Sequence, residues 1–474
     1  MAAAQFCHCG FEVCERGMLG CIAWATPPRR RSLSTFIDKL EFIMKQHLQH
    51  ATNVILYIGF DVHKNSIAIA CALSCESDDP QFYGSCGGSN LAVERALNRI
   101  CKKFNVTKKQ IRIAYEAGPT GFVLVRRLLQ LGYDTIVVAP SKMERAAGEK
   151  VKTDRKDAIK IARQLRGKML TGIYIPEAKT EAVRDLCRAR TDASEDLRRD
   201  KQRLCAFLLR QGMRYDGKTN WTEAHMRYLR KMKLADPILD QILEDYLRTI
   251  DEGIKRVQML EEKLEQVLLE WKEGAPFVNA LKAFRGFQTV AAMTIVSELG
   301  SMRRFRHPRQ LMGYLGLVTG ENSTGDRRRQ GSITKCGNSH VRWILVESAQ
   351  HYRLDPKVSP QLSKRQEGQS KEVKEISWRA QNYPSLRSRS ALCSLLLRML
   401  EPMSATASGQ WLNYRYKRLS ARKLNRNKVI VAMARELCAF IWELFTTLPQ
   451  PELQAPPEAI AITAVGDDPA AQPA

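Results

Sequence analysis

The chain is 474 residues long, room for about three domains at roughly 150 residues each, and 44% of it is apolar, so sizeable cores can be buried. Lys and Arg number 75 against 50 Asp and Glu, and the net charge of +25 suits a polyanionic partner such as DNA, RNA or an anionic membrane. No apolar run approaches the roughly 18–20 residues that span a bilayer, and the thirteen cysteines form no dense framework, so the reading is a cytoplasmic nucleic-acid binder with reduced thiols and not a membrane protein.

Residues 1–50 carry no sustained period and read as a poorly ordered extension; the spacing of Cys7, Cys9, Cys14 and Cys21 around His8 is poor for zinc. From residue 54 the pattern changes. "VILYIGFDVHKNSIAIACAL" has two β-rich runs flanking "DVHKN", the signature of a hairpin. A helix is expected over 91–104, a strand over 110–117 ending at a Gly-Pro turn, a helix over 121–133, a short buried strand over 134–140 and a helix over 154–168. Alternating strands and helices predict a mixed α/β domain across about 54–175.

Residues 180–275 hold almost no strand signal. Leu243, Leu247, Ile250, Ile254, Val257, Leu260, Leu264 and Val267 recur at steps of three or four, a coiled-coil-like seam. It serves a helical hairpin packed on itself or a dimer contact. In the block 277–355, "FRGFQTVAAMTIVSELG" reads as helix, Gly turn, helix. The turn either offers backbone N–H groups to a phosphate or serves helix packing. "GLVTGENSTGDRRRQGSITKCGNSH" is expected to be mostly loop, followed by a helix at "VRWILVESAQHYR". Residues 356–410 look polar and irregular apart from "ALCSLLLRMLEPM", residues 426–445 form a strong helix, and the Pro- and Ala-rich tail from Leu448 is expected to be disordered.

Asp61 closes one β-run and Glu116 another, and strand ends are where sites gather in open α/β sheets. Asp154 and Asp157, three apart, share one helix face. Such acids suit phosphoryl transfer with two divalent ions, which clamp the attacking and leaving oxygens; a solvated D-x-x-D face is the plainer alternative. In the Gly-Ser-Arg loop, Ser323 and Thr324 lie near Arg327, Arg328, Arg329 and Lys335. A hydroxyl among guanidinium groups can attack a phosphodiester, or the loop simply grips phosphate.

"IGFDVHKNSIAIA", "AYEAGPTGF", "KTDRKDA", "FRHPRQLMGYLGL", "STGDRRRQGSITKCGNSHVRW" and "VAMARELCAFIWEL" occur in this order, and together they resemble the DEDD transposases of bacterial insertion sequences of the IS110 type. These are also described as bridge-RNA-guided recombinases and are related to Piv-type DNA invertases. The resemblance covers about 54–355 and 411–446. It implies an α/β plus α architecture: a RuvC-like RNase H fold domain over 54–175, a helical coiled-coil segment over 180–275 and a mainly helical C-terminal transposase domain over 277–446. It places Mg²⁺ or Mn²⁺ on Asp61, Glu116, Asp154 and Asp157, and a serine nucleophile just before a glycine. It implies a structured non-coding guide RNA, double-stranded donor and target DNA, dimers or tetramers with active sites shared between subunits, and a cytoplasmic, nucleoid-associated location. Lys152, Arg155 and Lys156 then fall where they would hold the phosphate backbone. Two departures stand out. The residue directly before the glycine is Thr324, with Ser323 one step earlier, so either hydroxyl fits the role. An insertion at about 382–413 also separates "WRAQ" from "YRYKRL".

Overall fold

A computed structural model describes residues 54–75, 79–144, 153–325, 327–381, 412–422 and 424–449. The expected N-terminal extension, Lys152, nearly all of the insertion and the C-terminal tail lie outside the described residues. The chain divides into two compact units, Met1–Ile175 and Pro176–Ala474.

The first unit is built on five strands, β1 (Leu56–Val62), β2 (Ser66–Leu73), β3 (Gln81–Gly87), β4 (Ile111–Glu116) and β5 (Asp134–Val138), in the order β3-β2-β1-β4-β5. β1 runs antiparallel to β2 and parallel to β4, β2 is antiparallel to β3, and β4 is parallel to β5. This is the mixed sheet of the RNase H fold. β3 was not foreseen, and the reason is physical: it is a largely exposed edge strand, "QFYGSCG", without apolar alternation.

Successive side chains on a strand point to opposite faces, and the two faces here are packed differently. Ile58, Phe60, Ile113 and Tyr115 join the core beneath α1 (Asn90–Phe104) and α2 (Val123–Gln130). Ala68, Ala70 and Ala114 lie on the other face, against Ala158, Ile161 and Ala162 of α3 (Asp154–Arg166). Gly59 shares that second face. A Cβ there would lie 2.3 Å from the Ala158 carbonyl oxygen and 2.5 Å from the Ala162 nitrogen, so only glycine lets α3 approach so closely.

The second unit opens with α4 (Ala178–Arg210), continues through the short α5 (Glu223–Lys231) and returns along α6 (Pro237–Glu270). Arg190 pairs with Glu261 and Arg256 with Asp196, while Gly253 meets Leu197; rising numbers on one helix meet falling numbers on the other, so the pair is antiparallel. The seam residues of α6 are buried or half-buried, as a hairpin packed on itself requires. One end of the pair closes a small core of Leu204, Phe207, Leu229, Leu243 and Ile250 with α5. The other end, through Val183, Cys187, Leu264 and Leu268, enters the large core of the C-terminal helices.

Those helices are α7 (Ala275–Lys282), α8 (Thr289–Leu299), α9 (Pro308–Tyr314), α10 (Ser339–Gln350), α11 (Pro360–Gln366), α12 (Lys371–Gln381), α13 (Leu412–Ala421) and α14 (Arg426–Thr447). The Gly turn between α7 and α8 is taken up by packing: Gly286 has φ +85°, a Cβ on it would sit 2.9 Å from the Ser348 carbonyl oxygen, and its own carbonyl accepts from Ser348 Oγ at 3.1 Å. One expectation needs correction. Residues 356–381 are not irregular: Ser359 accepts from the Leu362 N–H to cap α11, Ser370 accepts from the Val373 N–H, and Leu362, Val373, Ile376 and Ala380 are enough to bury these otherwise polar helices. The Gly-Ser-Arg segment is mostly loop, as expected, but it carries a short hairpin, β6 (Thr319–Glu321) and β7 (Gln330–Ile333), hidden from sequence because both strands are almost wholly exposed and carry no apolar stripe.

Candidate active site

The metal half is assembled at the C-terminal edge of the first unit's sheet. Phe60 pairs with Tyr115 in the parallel register, so Asp61 and Glu116 lie one residue further on neighbouring strands and share a face. That face is the one α3 covers. Thr153 starts α3, its hydroxyl accepting from the Lys156 N–H at 3.3 Å, which sets Asp154 and Asp157 in the first helical turn. Close packing at Gly59 brings this turn to the end of β1.

Asp61 Oδ2 lies 3.3 Å from His63 Nε2, and the same nitrogen lies 3.6 Å from Asp154 Oδ1. Asp61, His63 and Asp154 each offer a donor atom, all within 4.8 Å of one another. Asp61 is the sheltered member, with a side chain 15% exposed against 63% for Asp154. Burial pushes the Asp61 carboxyl up from its ordinary value; the charge of His63 and its hydrogen bond pull it down, while Asp157 and Asp154 push it up again. Glu116, on the neighbouring strand, and Asp157, three residues after Asp154 on the helix, lie outside this tight trio. Two carboxylates and one imidazole, open to solvent on one side, fit a divalent cation that accepts a nitrogen ligand beside oxygens, Mn²⁺ more readily than Mg²⁺. His63 was not anticipated; its place two residues after Asp61, in the turn closing β1, was the available signal.

The hydroxyl-bearing segment that the sequence marks as a candidate nucleophile lies in the second unit, on the β6–β7 hairpin. The ladder continues past the paired strands: the Asn322 N–H donates to the Arg329 carbonyl at 2.9 Å, and Thr324 and Arg327 exchange two backbone bonds at 3.2 Å. Ser323 Oγ donates to Glu321 Oε1 at 2.9 Å and accepts from the Arg329 N–H at 3.1 Å. Gln330 Nε2 donates to Glu321 Oε2 at 3.3 Å, and Arg328 Nε stands 3.3 Å from Glu321 Oε1. These contacts, led by the Ser323 hydrogen bond, hold the Glu321 carboxyl below its ordinary value. Ser323 is thus oriented by a carboxylate and a backbone donor, while Thr324 is fixed through its backbone at the tip. Glu321 was missed, although it ends β6 and Ser323 follows two residues on, where the ladder continues, so the two share a side.

The hairpin's root is anchored. A Cβ on Gly337 (φ +72°) would come 1.9 Å from the Tyr314 carbonyl oxygen, and one on Gly316 2.3 Å from that of Cys336. Arg342 Nη1 donates to the carbonyls of Leu315 and Cys336 at 2.9 and 3.1 Å. Asn338 Nδ2 donates at 2.7 Å to the buried Glu298, which also takes a two-pronged contact from Arg188 at 2.7 and 3.0 Å.

The basic residues divide. Lys156, Arg327, Arg329 and Lys335 are exposed, Arg328 is shared with Glu321, and Arg155 lies over the Phe82 ring at 5.4 Å. Lys152 is outside the described residues.

A sheet of this order with acids gathered at its edge, joined in one chain to a helical unit, fits a DEDD-type transposase, and the matches to known proteins show that class. The chain belongs to the IS110 family of insertion-sequence transposases: residues 278–362 match the family described as Transposase IS116/IS110/IS902, and residues 58–212 match the DEDD transposase domain of IS110 elements. It is 38% identical over 388 residues to a putative transposase, y4qE, of Sinorhizobium fredii, covering 82% of this chain and 88% of that one. It is 29% identical over 324 residues to the transposase for insertion sequence element IS1533 of Leptospira borgpetersenii, covering 66% of this chain and 90% of that one. As a transposase it acts on DNA, and among the described residues no helix is long and apolar enough to cross a membrane.

Proposed function

We propose that this transposase cuts and rejoins the strands of its own insertion sequence by transient covalent attachment to Ser323, with Asp61, Glu116, Asp154 and Asp157 holding Mg²⁺ or Mn²⁺, and with a structured RNA from the element selecting donor and target DNA. The observation that carries the nucleophile assignment is the Ser323 hydroxyl held between the Glu321 carboxylate and the Arg329 N–H. Thr324 is the less favoured choice because its fixed contacts are those of its backbone.

When bound, divalent cations would supply charge neutralisation at the phosphate oxygens. The chain's own groups do the rest. Asp61 and Asp154 set the position of the cation site, His63 bridges them, and Glu116 closes the strand-end side. Arg327 and Arg329, on the exposed hairpin, grip the phosphate near the serine. RNA guidance rests on the resemblance and suits a chain of net charge +25; base pairing would then read the sequence while the protein reads backbone shape. Assembly as a dimer or tetramer in the cytoplasm, on the nucleoid, belongs to the same reading.

The test is to denature a reaction containing the full-length chain, a transcript of the DNA flanking its coding region and a duplex copying those flanks. Protein joined covalently to DNA is expected from the unaltered chain and from Thr324→Ala, and none from Ser323→Ala. Cleavage that leaves free ends without an adduct would instead mark a nuclease that uses the acids alone.

A further inference from the structure

We infer that Glu321 is the general base that accepts the Ser323 proton when the hydroxyl attacks DNA, and returns it when the strand is rejoined; this rests on the Ser323 reading above. The two side chains meet directly, Ser323 Oγ donating to Glu321 Oε1 at 2.9 Å, within the reach a base needs. The pair is also oriented from both ends. The Arg329 N–H donates to the serine oxygen and so directs its remaining lone pair, while Gln330 Nε2 holds the other carboxylate oxygen. A nucleophile touching a base that is itself positioned by a third group is the arrangement that activates a hydroxyl.

The step balances without any further reactant. As Ser323 Oγ forms its bond to phosphorus, its proton passes to Glu321 Oε1. The bond from phosphorus to the leaving deoxyribose oxygen breaks, and that oxygen keeps the electron pair and takes a proton from solvent. Rejoining is the reverse: a deoxyribose hydroxyl displaces Ser323, and Glu321 gives the proton back. Arg328 supplies a trigger. In the free chain its Nε stands 3.3 Å from Glu321 Oε1 and helps keep the carboxylate weakly basic. An arriving phosphate competes for that guanidinium, and a carboxylate that loses a cationic neighbour becomes a stronger base.

Glu321→Gln keeps the shape, and its amide oxygen can still accept from Ser323, but it cannot take the proton. The experiment measures the rate of adduct formation between the full-length chain and the same flank duplex and transcript, from about pH 6 to 8. The unaltered chain should vary little over that range, because Glu321 stays ionised well above the ordinary glutamate value of about 4.3. Glu321→Gln should be about 100-fold slower at neutral pH and accelerate steadily as hydroxide rises, with duplex binding unchanged. Glu321→Asp should recover part of the loss. A Glu321→Gln chain with the unaltered rate and pH profile overturns the inference while leaving Ser323 as nucleophile. An adduct from Ser323→Ala, or none from the unaltered chain, overturns both.

Discussion

Asp61, Asp154 and Asp157 crowd like charges into one corner of the sheet; burial, then Asp157 and Asp154, raise the cost of ionising Asp61, with His63 the nearest compensating group. Such a corner suits a cation better than it serves stability. Asp61→Asn is therefore expected to abolish excision of a marked element in cells, yet to melt no lower than the unaltered chain when both are heated in a chelator at neutral pH. A large drop in melting temperature would mean that Asp61 has a structural role. His63 allows a separate prediction. Imidazole is a better ligand for Mn²⁺ than for Mg²⁺, so His63→Ala should weaken Mn²⁺ binding more than Mg²⁺ binding in a direct titration; equal losses would place the ring outside the coordination sphere. Asp61 and Asp154, which the structure brings together, stand at a strand end and a helix start, local patterns that mark them as candidates in the sequence, while the set of four came from the resemblance. His63 and Glu321 were not readable, because their roles depend on which hydroxyl or carboxylate folding sets beside them.

The helix α3 on β1 shows how one glycine governs the geometry of the metal half. Gly59→Ala places a methyl group inside the Ala158 and Ala162 backbone, and overpacking of this kind costs about 1–3 kcal/mol. Since α3 must retreat, the carboxylates of its first turn retreat with it. Denaturant unfolding should show the loss of stability, and Mn²⁺ titration of the folded fraction a weaker site; unchanged Mn²⁺ affinity would show that Asp154 is placed by something other than this contact. At this scale the sequence was informative where burial imposes a period. β1, β2, β4 and β5, the α6 seam and α14 all announce themselves by apolar spacing. β3 and the β6–β7 hairpin do not, because an exposed strand need not alternate. What fixes the hairpin is its root, where Gly316, Gly337, Arg342 and Asn338 converge through backbone contacts that no periodicity encodes.

For the molecule as a whole, two properties separate cleanly. The first is the coupling of long helices to chemistry within the second unit. Glu298, with a side chain only 1% exposed, joins Arg188 of α4 to Asn338 at the hairpin's root. Its loss removes charge-assisted hydrogen bonds worth about 1.5–3 kcal/mol, part of which solvent returns at the 44% exposed Arg188 side chain, so Glu298→Ala should unfold earlier in denaturant and lose adduct formation, while Mn²⁺ binding by the first unit's acids persists. The second is charge. A net +25 gives the chain affinity for any duplex, and each phosphate contact made by a lysine or arginine releases condensed counterions. Binding to a duplex unrelated to the element should therefore fall steeply as salt rises, and Arg327→Ala should weaken it to a similar degree on every sequence while flattening the slope of log affinity against log salt by about 0.9. If the acids hold a cation as proposed, and not the backbone, Asp61→Asn should leave that slope unchanged. If Arg327→Ala instead weakened binding only to the element's own flanks, its contact would be with bases, and the hairpin would take part in reading sequence as well as in cutting.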